Sequence, residues 1–407
     1  MNFNTKLLHG KAVEQYPYGS TLPPVVQSNA YRYDSFEALE RVFSHKAAGY
    51  AYSRIGNPTV AAFERRINEL EGGAGAVATA SGMAAISQTL LTFLSPGDEV
   101  IAANSLYGGT LELFEDLEKL GIRTRFVSRL DTEEIGRAFT DRTRCIFGEL
   151  ISNPALQVLD VPAVSEFAHA HSVPLLVDST TATPYIASPI ALGADIVLHS
   201  SSKYISGSGN AISGVIIDSG RFAWSSDRFP ALQGFEKWGK LAFLTRLRTD
   251  VFENFGGCLA PQNAFLNVLG LETLGLRMER ICRNAAALAA ALEAEGLNVS
   301  HLSLTGHPDH ELCVRELGGL GGGILTFRAG SREKAVRILN SLRYASIASN
   351  IGDVRTLVIY PFSTIFLKNT KEQCEKAGVY EDTLRVSVGI EDAADLIDDF
   401  LTAIRSA

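Results

Sequence analysis

The chain has 407 residues, a formal net charge of −8 and 46% hydrophobic residues, a length that exceeds one hydrophobic core and predicts at least two domains. Lys and Arg are scattered rather than clustered, which argues against nucleic acid as a partner. Five cysteines, none in a C-x-x-C pair, offer neither a zinc nor a disulfide framework, and no metal site is expected.

The opening "MNFNTKLLHG" has no long apolar segment, and no run of about 18 apolar residues follows. Neither export nor a membrane span is indicated, and a reducing cytoplasm is the expected compartment. Residues 1–55 are rich in Tyr, Pro, Gly and Asn. Pro17, Pro23 and Pro24 keep "YPYGSTLPPVVQSN" from forming a regular helix, so we expect an arm with one helix at "SFEALERVFSHKA".

From Asn57 the pattern is α/β. "NPTVAAFERRINELEG" predicts a helix with Asn57 as its cap, Pro58 in its first turn and Gly72 at its end. "GAVATAS", "DEVIAANS", "IRTRFVS", "TRCIFGEL", "VPLLVDST", "ADIVLHS" and "AISGVIID" read as strands. "GMAAISQTLLTFL" and other helical stretches separate them. Apolar runs without strict alternation fit central strands covered on both faces, and the alternation of strands with helices predicts a mostly parallel sheet over residues 56–249. A second unit is expected over 250–407. It starts with long helical material broken near Gly270 or Gly275. The strand "GGILTFRAG", the helix "SREKAVRILNSL" with Ser331 as its cap, the strand "TLRVSVGI" and an acidic-started helix follow.

Two strand ends carry chemistry. "PLLVDST" leaves Asp178 at the end of an apolar run, where ligands bind in α/β sheets, although the position suits a turn cap equally well. "ADIVLHSSSKYISG" ends a second strand in Ser200, Ser201, Ser202 and Lys203, with Gly207 and Gly209 allowing close backbone approach. A lone lysine is most often a solvated charge. This one stands among small hydroxyls, and "ASGMAA" offers a helix start where Gly82 and Met83 present N–H groups to an anion. An amine, a carboxylate and an anion cradle at successive strand ends match the needs of pyridoxal phosphate. The amine bonds its aldehyde, the carboxylate holds the proton on its pyridine nitrogen, and hydroxyls with helix-start amides hold its phosphate.

With "YSRIGNPT", "LYGGT", "VDSTTATPY", "GLETLGLRMER", "SNIGDVRTLVIYP" and "LRVSVGIED", these stretches make the chain resemble the Cys/Met-metabolism family of pyridoxal-phosphate enzymes. That family has the aspartate-aminotransferase-like fold type I, and the chain is most similar to its O-acetylhomoserine sulfhydrylases. The resemblance implies a large cofactor-binding domain with a mostly parallel sheet, a smaller C-terminal α/β domain and an extended N-terminal arm. It implies that Lys203 holds the cofactor and shuttles protons, and that Asp178 pairs with the pyridine nitrogen. Ser200, Ser202, Gly82 and Met83 would hold the phosphate, and Tyr107 would stack on the ring. Asn153 would lie near the cofactor hydroxyl or the substrate carboxylate, Arg385 would clamp that carboxylate, and Asn350 would line the substrate side. Tyr52 and Arg54 would reach the phosphate of a neighbouring subunit, which implies an active dimer, usually within a tetramer in this family.

The resemblance implies an amino-acid substrate. O-acetyl-L-homoserine is the expected donor and sulfide or a small thiol the expected acceptor; a γ-elimination lyase on a sulfur amino acid, or γ-replacement with another nucleophile, is the alternative. Lyase members of the family usually carry a cysteine after Tyr-Gly, where this chain has Gly109, and Asn350 replaces the serine of the cystathionine enzymes. Two stretches depart from the sulfhydrylase pattern. Ser208 and Asn210 stand where a histidine and a threonine are usual, and "YPFSTIF" replaces two histidines and an alanine by larger or aromatic residues. We therefore expect Tyr360, Phe362 and Phe366 to make the acceptor side tighter or more apolar; the alternative is that these rings fill the small domain's core.

Overall fold

A computed structural model describes residues 1–10, 16–44 and 46–407. Seven strands form the larger sheet: β1 Gly75–Thr79, β2 Glu99–Ala103, β3 Arg123–Val127, β4 Thr143–Glu149, β5 Leu175–Asp178, β6 Ile196–His199 and β7 Gly214–Asp218. Their order is β1-β7-β6-β5-β4-β2-β3. Strands β3, β2, β4, β5 and β6 run parallel, and β7 is antiparallel to both β1 and β6. Alternate residues point to opposite faces, as strand geometry requires. Ile146, Leu175, Val177, Val197 and Ile217 meet one buried cluster, while Phe147, Leu176, Ile196, Leu198 and Ile216 meet another. Covering both faces in this way is what the unbroken apolar runs predicted.

Local signals act where expected. Asn57 accepts the N–H groups of Thr59 and Val60 to start the Pro58–Glu71 helix, and Gly72 ends it at φ 75°. Ser81 accepts the N–H of Ala84 to start the helix Gly82–Phe93. Ser35 starts Phe36–Phe43 and Ser331 starts Arg332–Ser341 in the same manner. The long C-terminal helical stretch breaks at Thr273, between Pro261–Glu272 and Leu274–Ala294. A short helix, Phe3–His9, was not expected from the sequence; Leu7 buries its apolar side.

The smaller sheet has β8 Val299–Ser300, β9 Ile324–Arg328, β10 Ser346–Ile347, β11 Leu357–Ile359 and β12 Thr383–Ser387, in the order β10-β11-β12-β9-β8. Strand β12 is antiparallel to both β9 and β11. Leu384, Val386 and Val388 face a core shared with Leu288, Ile338 and Phe400. The helices after residue 250 pack against both sheets. Ala264, Val268, Leu271, Met278 and Ile281 belong to the same cluster as the larger sheet, and the smaller sheet's core begins at Ala285 within the same helix. Among the described residues no helix is long and apolar enough to cross a membrane.

Candidate active site

The carboxyl ends of β4, β5 and β6 open into a cleft of about 420 Å³. Ten of the twelve residues expected to form the site line it: Gly82, Met83, Tyr107, Asn153, Asp178, Ser200, Ser202, Lys203, Asn350 and Arg385. Tyr52 and Arg54 do not. The Arg54 guanidinium donates to the carbonyl of Glu253 and lies 5.7 Å from the Tyr52 ring centroid. Tyr52 is 41% exposed.

Asp178 ends β5, and its Oδ1 accepts both the N–H and the hydroxyl of Thr180, at 2.9 and 2.5 Å. The same Thr180 hydroxyl oxygen accepts the N–H of Ser200 at 2.8 Å, which ties the end of β5 to the turn that carries Lys203. Burial pushes the Asp178 carboxyl above its ordinary value, and the two bonds from Thr180 offset part of that rise. Lys203 donates to Asn350 Oδ1 at 2.6 Å. Burial, and after it the positive charge of Arg385, hold the lysine amine below its usual pKa.

Arg385 follows from strand alternation. Its neighbours Leu384 and Val386 enter the small core, so Arg385 points to the other face and into the cleft. It donates to Asn153 Oδ1 at 3.3 Å and to the Asn350 carbonyl at 3.2 Å, and its buried Nε has no partner. Burial lowers its pKa to about 10, so it stays charged at neutral pH. A buried guanidinium with an unused N–H and no carboxylate partner suits an incoming carboxylate.

The cradle beside Lys203 is close-packed. A Cβ placed on Gly82 would lie 2.6 Å from Ser200 Cβ, so only glycine lets this helix start touch the serine turn. The first N–H groups of the helix, on Gly82 and Met83, have no acceptor within it. Ser202 accepts the N–H of Ser213 and donates to its carbonyl, both at 2.9 Å, while the Ser200 hydroxyl reaches Ser202 at 3.5 Å. Tyr107 is half-exposed and lies over Gly109, where a Cβ would come within 2.7 Å of its ring. These residues fit pyridoxal phosphate. An amine and a carboxylate face one cleft, a helix N-terminus with hydroxyls stands ready for a phosphate, and an aromatic face is free for a ring.

Glu149 and Thr180 line the cleft and were passed over in the sequence. Glu149 follows the short apolar run "CIF" after one glycine, as Asp178 follows "PLLV", so the rule that finds one points to the other. The expectation for "YPFSTIF" is corrected. Tyr360 lies in the small-sheet core and donates to the Glu381 carbonyl, Phe366 packs with Cys374, Ala377 and Val379, and Phe362 packs between these clusters. None of the three lines the cleft, because the chain turns into a 3-10 helix at Pro361–Ser363 and carries these rings inward.

Residues 4–405 match the family described as Cys/Met metabolism PLP-dependent enzyme. A homocysteine synthase of Schizosaccharomyces pombe is 40% identical over 423 residues, which cover 100% of this chain and 99% of that protein. An L-methionine gamma-lyase of Fusobacterium nucleatum is 37% identical over 386 residues, covering 94% and 93%. The crystal structure of a putative O-acetylhomoserine (thiol)-lyase from Campylobacter jejuni, with pyridoxyl-lysine monophosphate, overlays with a TM-score of 0.94 at 32% identity and covers 100% of both chains. The fold is that of the fold type I pyridoxal-phosphate enzymes. The chain therefore belongs to the Cys/Met metabolism family of PLP-dependent enzymes, and pyridoxal 5′-phosphate is its cofactor.

Proposed function

We propose that the protein catalyses γ-replacement on O-acetyl-L-homoserine, exchanging acetate for sulfide or a small thiol to form homocysteine or an analogue. One observation carries this reading: Lys203, Asp178 and Arg385 converge on a single cleft, with Asn350 bonded to both Lys203 and Arg385. Pyridoxal phosphate, when bound, supplies the electron sink that makes the proton on the substrate's Cα removable. Arg385 holds the substrate α-carboxylate, with Asn153 steadying the guanidinium. The amine of Lys203 takes the Cα proton and then serves proton transfer at Cβ, so that acetate leaves Cγ with its bonding electrons and sulfur bonds there, and the protons return to Cβ and Cα. Its lowered pKa keeps more of the amine neutral and able to accept. Asp178 holds a proton at the ring nitrogen by charge, Tyr107 covers the ring, and Gly82, Met83, Ser200 and Ser202 receive the phosphate.

A γ-elimination lyase is the competing reading, since a relative bears that name. Gly109 speaks against it, because it stands where lyase members of the family usually carry a cysteine. The test is the purified holoenzyme with O-acetyl-L-homoserine, with and without sulfide. Homocysteine and acetate in equal amounts, formed only with sulfide, are expected. Release of 2-oxobutanoate and ammonia at the same rate without any thiol would replace this reading by the lyase.

We also propose that the enzyme acts in the cytoplasm as a homotetramer of active dimers, in which Tyr52 and Arg54 serve the phosphate of a neighbouring subunit. Both lie outside their own cleft, the nearby helix Phe36–Phe43 buries no residue, and Phe36 and Phe43 are exposed. The five unpaired cysteines suit a reducing compartment. Arg54→Ala and Lys203→Ala should each be nearly inactive alone. Mixed under subunit exchange they should regain activity, because one of the two sites in each mixed dimer is intact. If exchange is verified and Arg54→Ala is inactive alone, yet no activity returns, Arg54 works within its own chain.

A further inference from the structure

We infer that Glu149 is a positioning residue of the reaction, tying the tyrosine at the ring and the asparagine that meets Arg385 to the strand end beside Asp178. The inference rests on the pyridoxal-phosphate reading above. Glu149 and Asp178 are register partners at the ends of adjacent parallel strands, and both line the cleft. The Glu149 carboxylate forms bonds to two main-chain groups. Its Oε1 accepts the N–H of Tyr107 at 2.7 Å, and its Oε2 accepts the N–H of Asn153 at 2.9 Å. Tyr107 is the residue from which the helix Gly108–Glu118 departs, and Asn153 in turn accepts from Arg385. One buried side chain thus fixes two loops that arrive from different parts of the sequence.

This choice of residue is costly. Burial, then the neighbouring charge of Asp178, push the Glu149 carboxyl above its ordinary value, and the two N–H bonds only partly offset the rise. A residue needed only to fill space there would be better neutral. A carboxylate alone accepts on both oxygens at once. A glutamine keeps one acceptor and turns an N–H₂ group against the other N–H.

Glu149→Gln tests this. We expect KM for O-acetyl-L-homoserine to rise about 10-fold, because Asn153 no longer steadies Arg385, while KM for sulfide stays within twofold. The dissociation constant for pyridoxal 5′-phosphate, from absorbance titration of the full chain, should also rise about 10-fold as Tyr107 loosens, the scale of one lost hydrogen bond. In an Asn153→Ala background the added effect on donor KM should shrink to within twofold, while the effect on cofactor affinity persists. A merely structural role would lower the melting temperature and leave donor KM and cofactor affinity within twofold of wild type; that result overturns the inference. If Glu149→Gln does not fold, Glu149→Asp, whose shorter reach cannot serve both N–H groups, is read on the same quantities. The wild type is measured alongside. If it neither binds the cofactor nor consumes the donor, the proposed function fails; if it does both and the variant matches it, only the role of Glu149 fails.

Discussion

Lys203→Ala is expected to lose all measurable γ-replacement, a fall of more than about 10⁴-fold. Among the described residues no other amine lines the cleft where Lys203 meets Asn350, and Arg385, the other cation on the cleft wall, keeps its charge at neutral pH and cannot act as a base. The substitution removes both the covalent anchor and the proton carrier, so the loss is not divisible between them. Folding should survive. Lys203 holds its turn through main-chain bonds, its N–H to the Ser200 carbonyl and its carbonyl to the Gly207 N–H, and alanine keeps both. Activity within tenfold of wild type in a verified Lys203→Ala sample would remove this lysine from the reaction.

Asp178→Asn is expected to lower the rate about 10²-fold or more, with the fold intact. An asparagine oxygen can keep both bonds from Thr180, so the change falls on the charge presented to the ring nitrogen. Stability gives an independent check. The folded-state pKa of Asp178 is raised, so the stability tied to its protonated form is present at low pH and lost as pH rises through that pKa. Without cofactor, Asp178→Asn should therefore melt above wild type, with a gap that widens as pH rises from about 4. Added pyridoxal phosphate should raise the melting temperature of wild type more than that of the variant, because the protonated ring nitrogen favours the anionic carboxylate. A near-wild-type rate, with equal stabilisation by cofactor, would show that Asp178 does not face that nitrogen.

The parts of the site that could be read from sequence are those where a local rule names the position. Asp178 and Lys203 each follow a short apolar run, and in a parallel sheet the ends of such runs meet at one edge. The start of the Gly82 helix was readable because Ser81 and Gly82 together make a cap and a close approach. Glu149 obeys the strand-end rule and was still missed, because "GEL" carries no motif and its partners, the N–H groups of Tyr107 and Asn153, belong to main chain that any sequence would supply. Thr180 was missed for a related reason: a threonine after an aspartate reads as a turn, and its bridge to Ser200 exists only once β5 and β6 lie side by side.

The aromatic residues of "YPFSTIF" show the opposite failure. Tyr360, Phe362 and Phe366 read the same whether they line a cleft or fill a core, because burial suits a ring in either place. Their direction depends on how β11 ends against β12 and where the chain turns at Pro361, which are tertiary facts. The two-residue strands β8 and β10 were likewise illegible, being too short to show any period. The break at Thr273 fell between the two glycines expected to mark it.

The account turns on Lys203 being the residue that carries the cofactor. The most direct measurement is borohydride reduction of the protein saturated with pyridoxal 5′-phosphate, followed by proteolysis and mass spectrometry of the peptides. The account predicts one reduced pyridoxyl-phosphate adduct per chain, on the peptide containing "HSSSKYISG" and at Lys203 within it. A native, cofactor-saturated protein with no adduct, or with its adduct on another lysine, would contradict it.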